Sequence, residues 1–185
     1  LYRSNAQSRV LEEQLLQAQL PYKIYGGLRF YERAEIKDAL AYMRLIANNN
    51  DDYALSRIIN TPTRGIGATT LKSLQIFARE QQCSLWQACQ TALTQTEQLN
   101  ARAHKALSAF ISLIHELGLE AENQPLNAFC ETLLNQTGLF AMYSKEKTEQ
   151  NQNKLDTLHE LIHATQLQAA NKPDKRSTLI DFLAK

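Results

Sequence analysis

Two stretches of the chain hold residue types whose spacing could do chemistry. The first is Arg64-Gly65-Ile66-Gly67, followed by Thr69, Thr70 and Lys72. Glycine accepts backbone torsions and close approaches that other residues resist, and a helix beginning after Gly67 would offer the free amides of its first turn to an anion. With Ile66 plugging the gap between two helices, Gly65 and Gly67 could bring the backbone against a phosphate. Arg64, Thr69, Thr70 and Lys72 would then supply cationic and hydroxyl partners, a sequence-independent grip on DNA backbone. The same residues also suit a plain turn between two helices, which needs small residues and no ligand.

The second stretch is His159-Glu160-Leu161-Ile162-His163, the H-E-x-x-H spacing that puts two imidazoles on one helix face with a Glu able to polarise a metal-bound water. A zinc peptidase would need a third ligand, for which only Asp174 and Asp181 follow in sequence, and strands to align a peptide. The duller account is a pair of half-buried, hydrogen-bonded imidazoles beside a core stripe of Leu155, Leu158, Ile162 and Thr165. No metal is therefore assigned.

Other signals are weaker. His104 and His115 stand alone on an amphipathic helix and read as surface or rim residues. Trp86, Phe110 and Phe129 sit at core spacing. Tyr25, Phe30 and Tyr31, interleaved with Lys23, Arg29 and Arg33, could stack on bases or simply pack a junction between subdomains. Cys83, Cys89 and Cys130 form no Cys-x-x-Cys pair, which fits reduced thiols in a cytoplasmic protein. Neither G-x-x-x-x-G-K-[ST] nor G-x-G-x-x-G occurs, so no nucleotide-binding loop of those kinds lies within the 185 residues.

These residues must be carried by helices. Leu occurs 28 times and Val once, at Val10, and that poverty of β-branched residues argues against a sandwich, barrel or large sheet. The expected fold is mainly α, about eight helices arranged as helix-turn-helix hairpins, preceded by a short strand-helix-strand. Asn5 or Ser4 caps the N-terminal helix, and Pro21 ends it. Ile36, Leu40 and Met43 mark a helix from Ala34 to about Asn48, and Tyr53 to Ile59 a short one. The helix after Gly67 turns Leu71, Leu74 and Phe77 inward, and Ser84 with Gln87 forms a capping box. Further helices are expected over Ala101–Leu117 closed by Gly118, Pro125–Gln136 closed by Gly138, Asn151–Ala170, and from Thr178, with Asn171–Arg176 as an exposed loop.

The whole-chain charge of +1 hides an asymmetry: residues 21–72 hold eight Lys or Arg against five acids, whereas residues 73–185 hold ten against twelve. The basic segment contains the glycine turn. No run of about 18 apolar residues could cross a bilayer, and no membrane partner is expected. Leu1 without an initiator Met or signal core reads as an internal piece of a longer chain.

The segments LYRSNAQSRVLEEQLLQAQLPYKIYGGLRFYERAEIKDALAYMRLIAN and INTPTRGIGATTLKSL, with SLWQACQ, NQTGLFAMY and KLDTLHELI further on, closely resemble superfamily 1 DNA helicases of the UvrD, Rep and PcrA type, nearest to the bacterial UvrD members. The resemblance covers the whole chain. It implies an ATP-dependent, 3′ to 5′ DNA helicase acting in repair and replication, with ATP and Mg2+ bound by the parent outside this piece, which alone would be inactive. Residues 1–28 would then belong to the RecA-like subdomain 2A and residues 29–185 to the helical 2B subdomain. Arg3 and Asn5 would contact single-stranded DNA, and Gly65, Ile66 and Gly67, flanked by Arg64, Thr69, Thr70 and Lys72, would grip the duplex. Implied partners are DNA, the remaining helicase subdomains and repair proteins. A helical protein-interaction module is the alternative from another class.

Overall fold

A computed structural model describes residues 30–95, 99–169 and 175–184. The chain divides into two compact units, Leu1–Arg33 and Ala34–Lys185. Of the first, the described part is a 3-10 turn, Phe30–Glu32, in which the Phe30 and Tyr31 rings meet edge to face at 5.0 Å. The expected strand-helix-strand, together with Arg3, Asn5, Lys23, Tyr25 and Arg29, lies outside the described residues.

Among its described residues the second unit consists of helices joined by turns, with no strand. Its centre is α1, Ala34–Ala47, where Ile36, Ala39, Tyr42, Met43 and Leu45 are fully buried. That spacing follows the helical period, so one face of α1 can be covered by several neighbours. Short α2, Asp52–Ile58, starts where the Asp51 carboxylate accepts the Ala54 N–H at 2.9 Å, a cap that satisfies one orphan donor. The Arg57 Nε bonds Asp38 Oδ1 at 2.7 Å and ties α2 back to α1.

Next come α3, Ala68–Glu80, and α4, Leu85–Thr94, packed on each other as a hairpin. The capping box read from Ser84 and Gln87 is present. A second link was not legible: Asp52 Oδ1 accepts the Leu85 N–H at 2.8 Å, joining the start of α2 to the start of α4.

Helix α5, Ala101–Asn123, opens on Asn100, whose side chain accepts the Ala103 N–H. It does not stop at Gly118 as expected. An interior Gly costs about 1 kcal/mol, and the buried Leu117 keeps the helix on the core. The effective stop is Pro125, which forces the preceding Gln124 to extended backbone, ψ 152°. Helix α6, Leu126–Gln136, ends before Gly138 in the left-handed region at φ +82°, and the chain immediately re-enters a helix, α7, Leu139–Ser144, that the sequence did not announce. Helix α8, Glu149–Ala169, and α9, Lys175–Leu183, complete the unit. Both begin earlier than expected, and Lys175 and Arg176 are helical rather than part of a loop. α1 is packed against α2, α5, α6, α8 and α9, and α4 bridges α2 to α5.

Candidate functional site

The turn between α2 and α3 is built from side chains that fold the backbone over itself. Asn60 Oδ1 accepts the N–H groups of Arg64 at 2.8 Å and Ile66 at 3.3 Å. The Tyr42 hydroxyl donates to Thr61 O at 2.6 Å, and burial pushes the Tyr42 hydroxyl's pKa upward, so it stays a donor. Ile66 is 1% exposed, so its side chain is buried between the residues that shape the turn.

Arg64 is placed differently from the expectation of a displayed cation. Its guanidinium turns inward: Nη1 donates to Pro62 O at 2.9 Å and to Ile58 O at 3.4 Å, and Nη2 to Thr137 O at 2.8 Å, at the end of α6. The same group lies 5.7 Å from the Tyr42 ring centroid and 5.5 Å from that of Phe110. It therefore joins α1, α5, the turn and the α6–α7 junction. Beside that junction, a Cβ on Gly138 would lie 3.8 Å from Pro62 Cγ.

The two glycines do different things. Gly65 has φ +89°, a torsion that costs a residue with a Cβ about 1–3 kcal/mol. Gly67, at φ −75° and ψ 170°, is the N-cap of α3 and gives it no side-chain cap. The helix ladder begins with Leu71 N–H to Gly67 O at 3.0 Å, so the N–H groups of Ala68, Thr69 and Thr70 precede it. No acid occupies the first turn. Thr69 and Lys72 are exposed and Thr70 half-buried. An uncapped helix start with a partial positive charge, flanked by hydroxyls and an ammonium, is suited to an oxyanion.

One residue near the turn gave no sequence signal. A Cβ on Gly65 would lie 3.4 Å from Arg102 Nε and 3.8 Å from its Nη2, so the second residue of α5 lays its guanidinium against the bare glycine. The Asn100 cap marks where α5 starts, but only tertiary packing brings position 102 to position 65.

The other candidates stay apart. His159 and His163 are exposed on α8, not half-buried; the face that packs inward carries Leu158, Leu161 and Thr165. His159 stacks on Phe140 with centroids 5.0 Å apart and planes at 29°. Among the described residues no group of three or more His, Cys, Asp or Glu is gathered as a metal site would require. A His104 ring nitrogen lies 3.0 Å from Leu93 O, and His115 meets the buried Trp86 edge-on at 5.6 Å. Cys89 and Cys130 are buried free thiols with pKa values pushed up to about 12 by desolvation. Among the described residues no helix is long and apolar enough to cross a membrane.

Comparison with known proteins fits this arrangement into a family. The profile of the UvrD-like helicase C-terminal domain matches residues 1–185. The chain is 51% identical over 175 residues to DNA helicase II of Escherichia coli K12, covering 95% of the chain and 24% of that relative. It is 50% identical over 184 residues to DNA helicase II of Haemophilus influenzae, covering 100% of the chain and 25% of the relative. Against the ATP-dependent DNA helicase PcrA of Bacillus subtilis it is 39% identical over 183 residues, covering 99% and 24%. The chain thus spans about a quarter of the length of these relatives. With the match extending over every residue, from the N-terminal segment through the glycine turn to the last helix, the chain belongs to the UvrD-like helicase C-terminal domain family.

Proposed function

We propose that this chain is the DNA-holding and regulatory portion of an ATP-dependent, 3′ to 5′ DNA helicase of repair and replication, and that it binds the duplex backbone through the turn at Gly65-Ile66-Gly67. Residues 1–28 are assigned to subdomain 2A and 29–185 to subdomain 2B, with Arg3 and Asn5 on the single strand. The nucleotide and its Mg2+ bind to other parts of the whole helicase. The remaining subdomains and repair proteins are its further partners, in the cytoplasm.

The observation that carries the duplex assignment is the uncapped start of α3. Its N–H groups project from a backbone that Arg64, Asn60 and Ile66 hold in place from behind. Gly67, Thr69, Thr70 and Lys72 form the contacting edge, Gly65 supplies the left-handed backbone that leads into it, and Ile66 and Arg64 hold the edge rigid. Such a grip is blind to base sequence and should neutralise about two or three phosphates, giving a slope of log K against log salt near −2 to −3.

Gly67→Asp is the discriminating variant. Its backbone already suits an Asp cap, and a Cβ there meets only Thr69 Oγ1 at 3.9 Å, so the fold is retained or slightly stabilised. The new carboxylate occupies the amides that phosphate would use. Binding of a labelled duplex by fluorescence anisotropy across a salt series should weaken in the variant. Duplex affinity indifferent to both salt and the substitution would refute the proposal and favour a protein-interaction module.

A further inference from the structure

We infer that Arg102, at the start of α5, is a second phosphate-binding group of the same interface, so that the DNA backbone is held between two helix starts rather than by the turn alone. The inference rests on the duplex-binding role proposed for the glycine turn. Three observations carry it.

The Arg102 guanidinium is seated on Gly65, within 3.4 Å of where a Cβ would stand. Gly65 is two residues before the α3 cap, and a chain covers at most about 3.3–3.6 Å per residue, so this cation and the open amides of α3 lie within reach of one stretch of sugar-phosphate backbone. Arg102 is also exposed, and among the described residues it has no hydrogen bond or ion pair. The five N–H donors of an arginine in that state are available to a phosphate, which a guanidinium can grip in a bidentate way. The contrast with the half-buried Arg64, which directs N–H groups to three backbone carbonyls, separates a contacting arginine from one that braces the turn.

The third observation is charge. No Asp or Glu occurs from residue 53 to 79 or from 98 to 115, while these segments contain Arg57, Arg64, Lys72, Arg79, Arg102 and Lys105. The helix that follows the turn and the helix that carries Arg102 are both free of acids over their first turns. Lys105, three residues after Arg102, lies on the same side of α5 and is exposed. Acid-free flanks keep a polyanion from being repelled where the Arg102 side chain meets the turn.

The test uses the 185-residue chain and a short blunt duplex, with anisotropy measured at several salt concentrations. Arg102→Ala should lower the magnitude of the salt slope by about 0.9, the loss of one neutralised phosphate, and Arg102→Lys should restore it. Arg44→Ala is the control: Arg44 is exposed on α1, two residues past Tyr42 and so turned away from the side that meets the turn, and its slope should stay at the wild-type value. A slope unchanged in Arg102→Ala, while Gly67→Asp still weakens binding, would overturn this inference and leave the proposed function standing. An equal loss in Arg44→Ala would overturn it as well, by showing unspecific attraction. Wild-type chain with no salt-dependent duplex binding would remove both.

Discussion

Replacing Arg64 separates a structural arginine from a phosphate-binding one. Arg64→Ala deletes two short charge-assisted hydrogen bonds, to Thr137 O at 2.8 Å and Pro62 O at 2.9 Å, and a longer one to Ile58 O. Each short bond from a charged donor contributes about 1.5–3 kcal/mol. The stacking over Tyr42 and Phe110 adds about 0.5–1 kcal/mol per ring at a partly exposed site. These contributions share one group and do not add, and Arg64 is only half-buried, so water recovers part of the loss. A destabilisation of about 3–4 kcal/mol follows, and at about 2–4 °C per kcal/mol for a chain of this size the midpoint should fall by about 10 °C. Arg64→Lys keeps the charge but not the fork that reaches Pro62 O and Thr137 O together, so it should recover less than half of that drop. Thermal unfolding followed by circular dichroism supplies the midpoint, and duplex binding by folded protein supplies the salt slope. A midpoint within about 2 °C of wild type, combined with a slope reduced by about 0.9, would refute the inward placement and make Arg64 a phosphate ligand.

Gly65→Ala should cost about 1–3 kcal/mol through its φ of +89°, whereas Gly67→Ala, at φ −75° with only Thr69 Oγ1 in ordinary contact with the new methyl, loses a favoured cap residue without torsional strain and should melt closer to wild type. Equal midpoints in the two variants would remove the torsional argument. Cys89 and Cys130 are buried and Cys83 is half-buried, so a thiol reagent should label Cys83 first in native protein and all three after unfolding. Because the folded state raises the Cys89 and Cys130 pKa values from 9.0 to about 12, it holds protons that the unfolded chain releases above pH 9. Stability should therefore fall with rising pH between about 9 and 12, with a slope approaching roughly 2.7 kcal/mol per pH unit for the two thiols. A stability profile flat across that window, or full labelling of native protein, would contradict their burial.

The helices were legible where local chemistry determines them. The α1 stripe, the Ser84–Gln87 capping box, the Ile66 plug and the left-handed Gly138 each follow from residues within one turn of each other. Gly118 misled because a glycine is a stop only when the next residues leave the core, and Leu117 keeps α5 on it. The stop that prevails, Pro125, acts through a steric clash and a lost N–H that cost a helix interior about 3 kcal/mol. Helix α7 has no local signature because so short a helix after Gly138 is decided by Leu139 and Tyr143 being covered, which is a tertiary fact.

The site shows the same division, with a consequence for function. Position 64 looked like a displayed cation because sequence gives charge and proximity but no direction. Its carbonyl partners at 58, 62 and 137 span 73 residues of chain in the longest case, and that distance in sequence decides which way the side chain points. Position 102 is the converse: no local pattern marks it, and it reaches Gly65 only when α5 packs. An arginine drawn inward to fix a turn and another laid over it from a distant helix make the turn both rigid and positively charged: Arg64 gives three of its five N–H donors to backbone carbonyls, whereas Arg102 is exposed with its donors open to a phosphate. For the duplex binding proposed for this turn, an edge held before the ligand arrives matters, because ordering it on binding would subtract from the few contacts it can make.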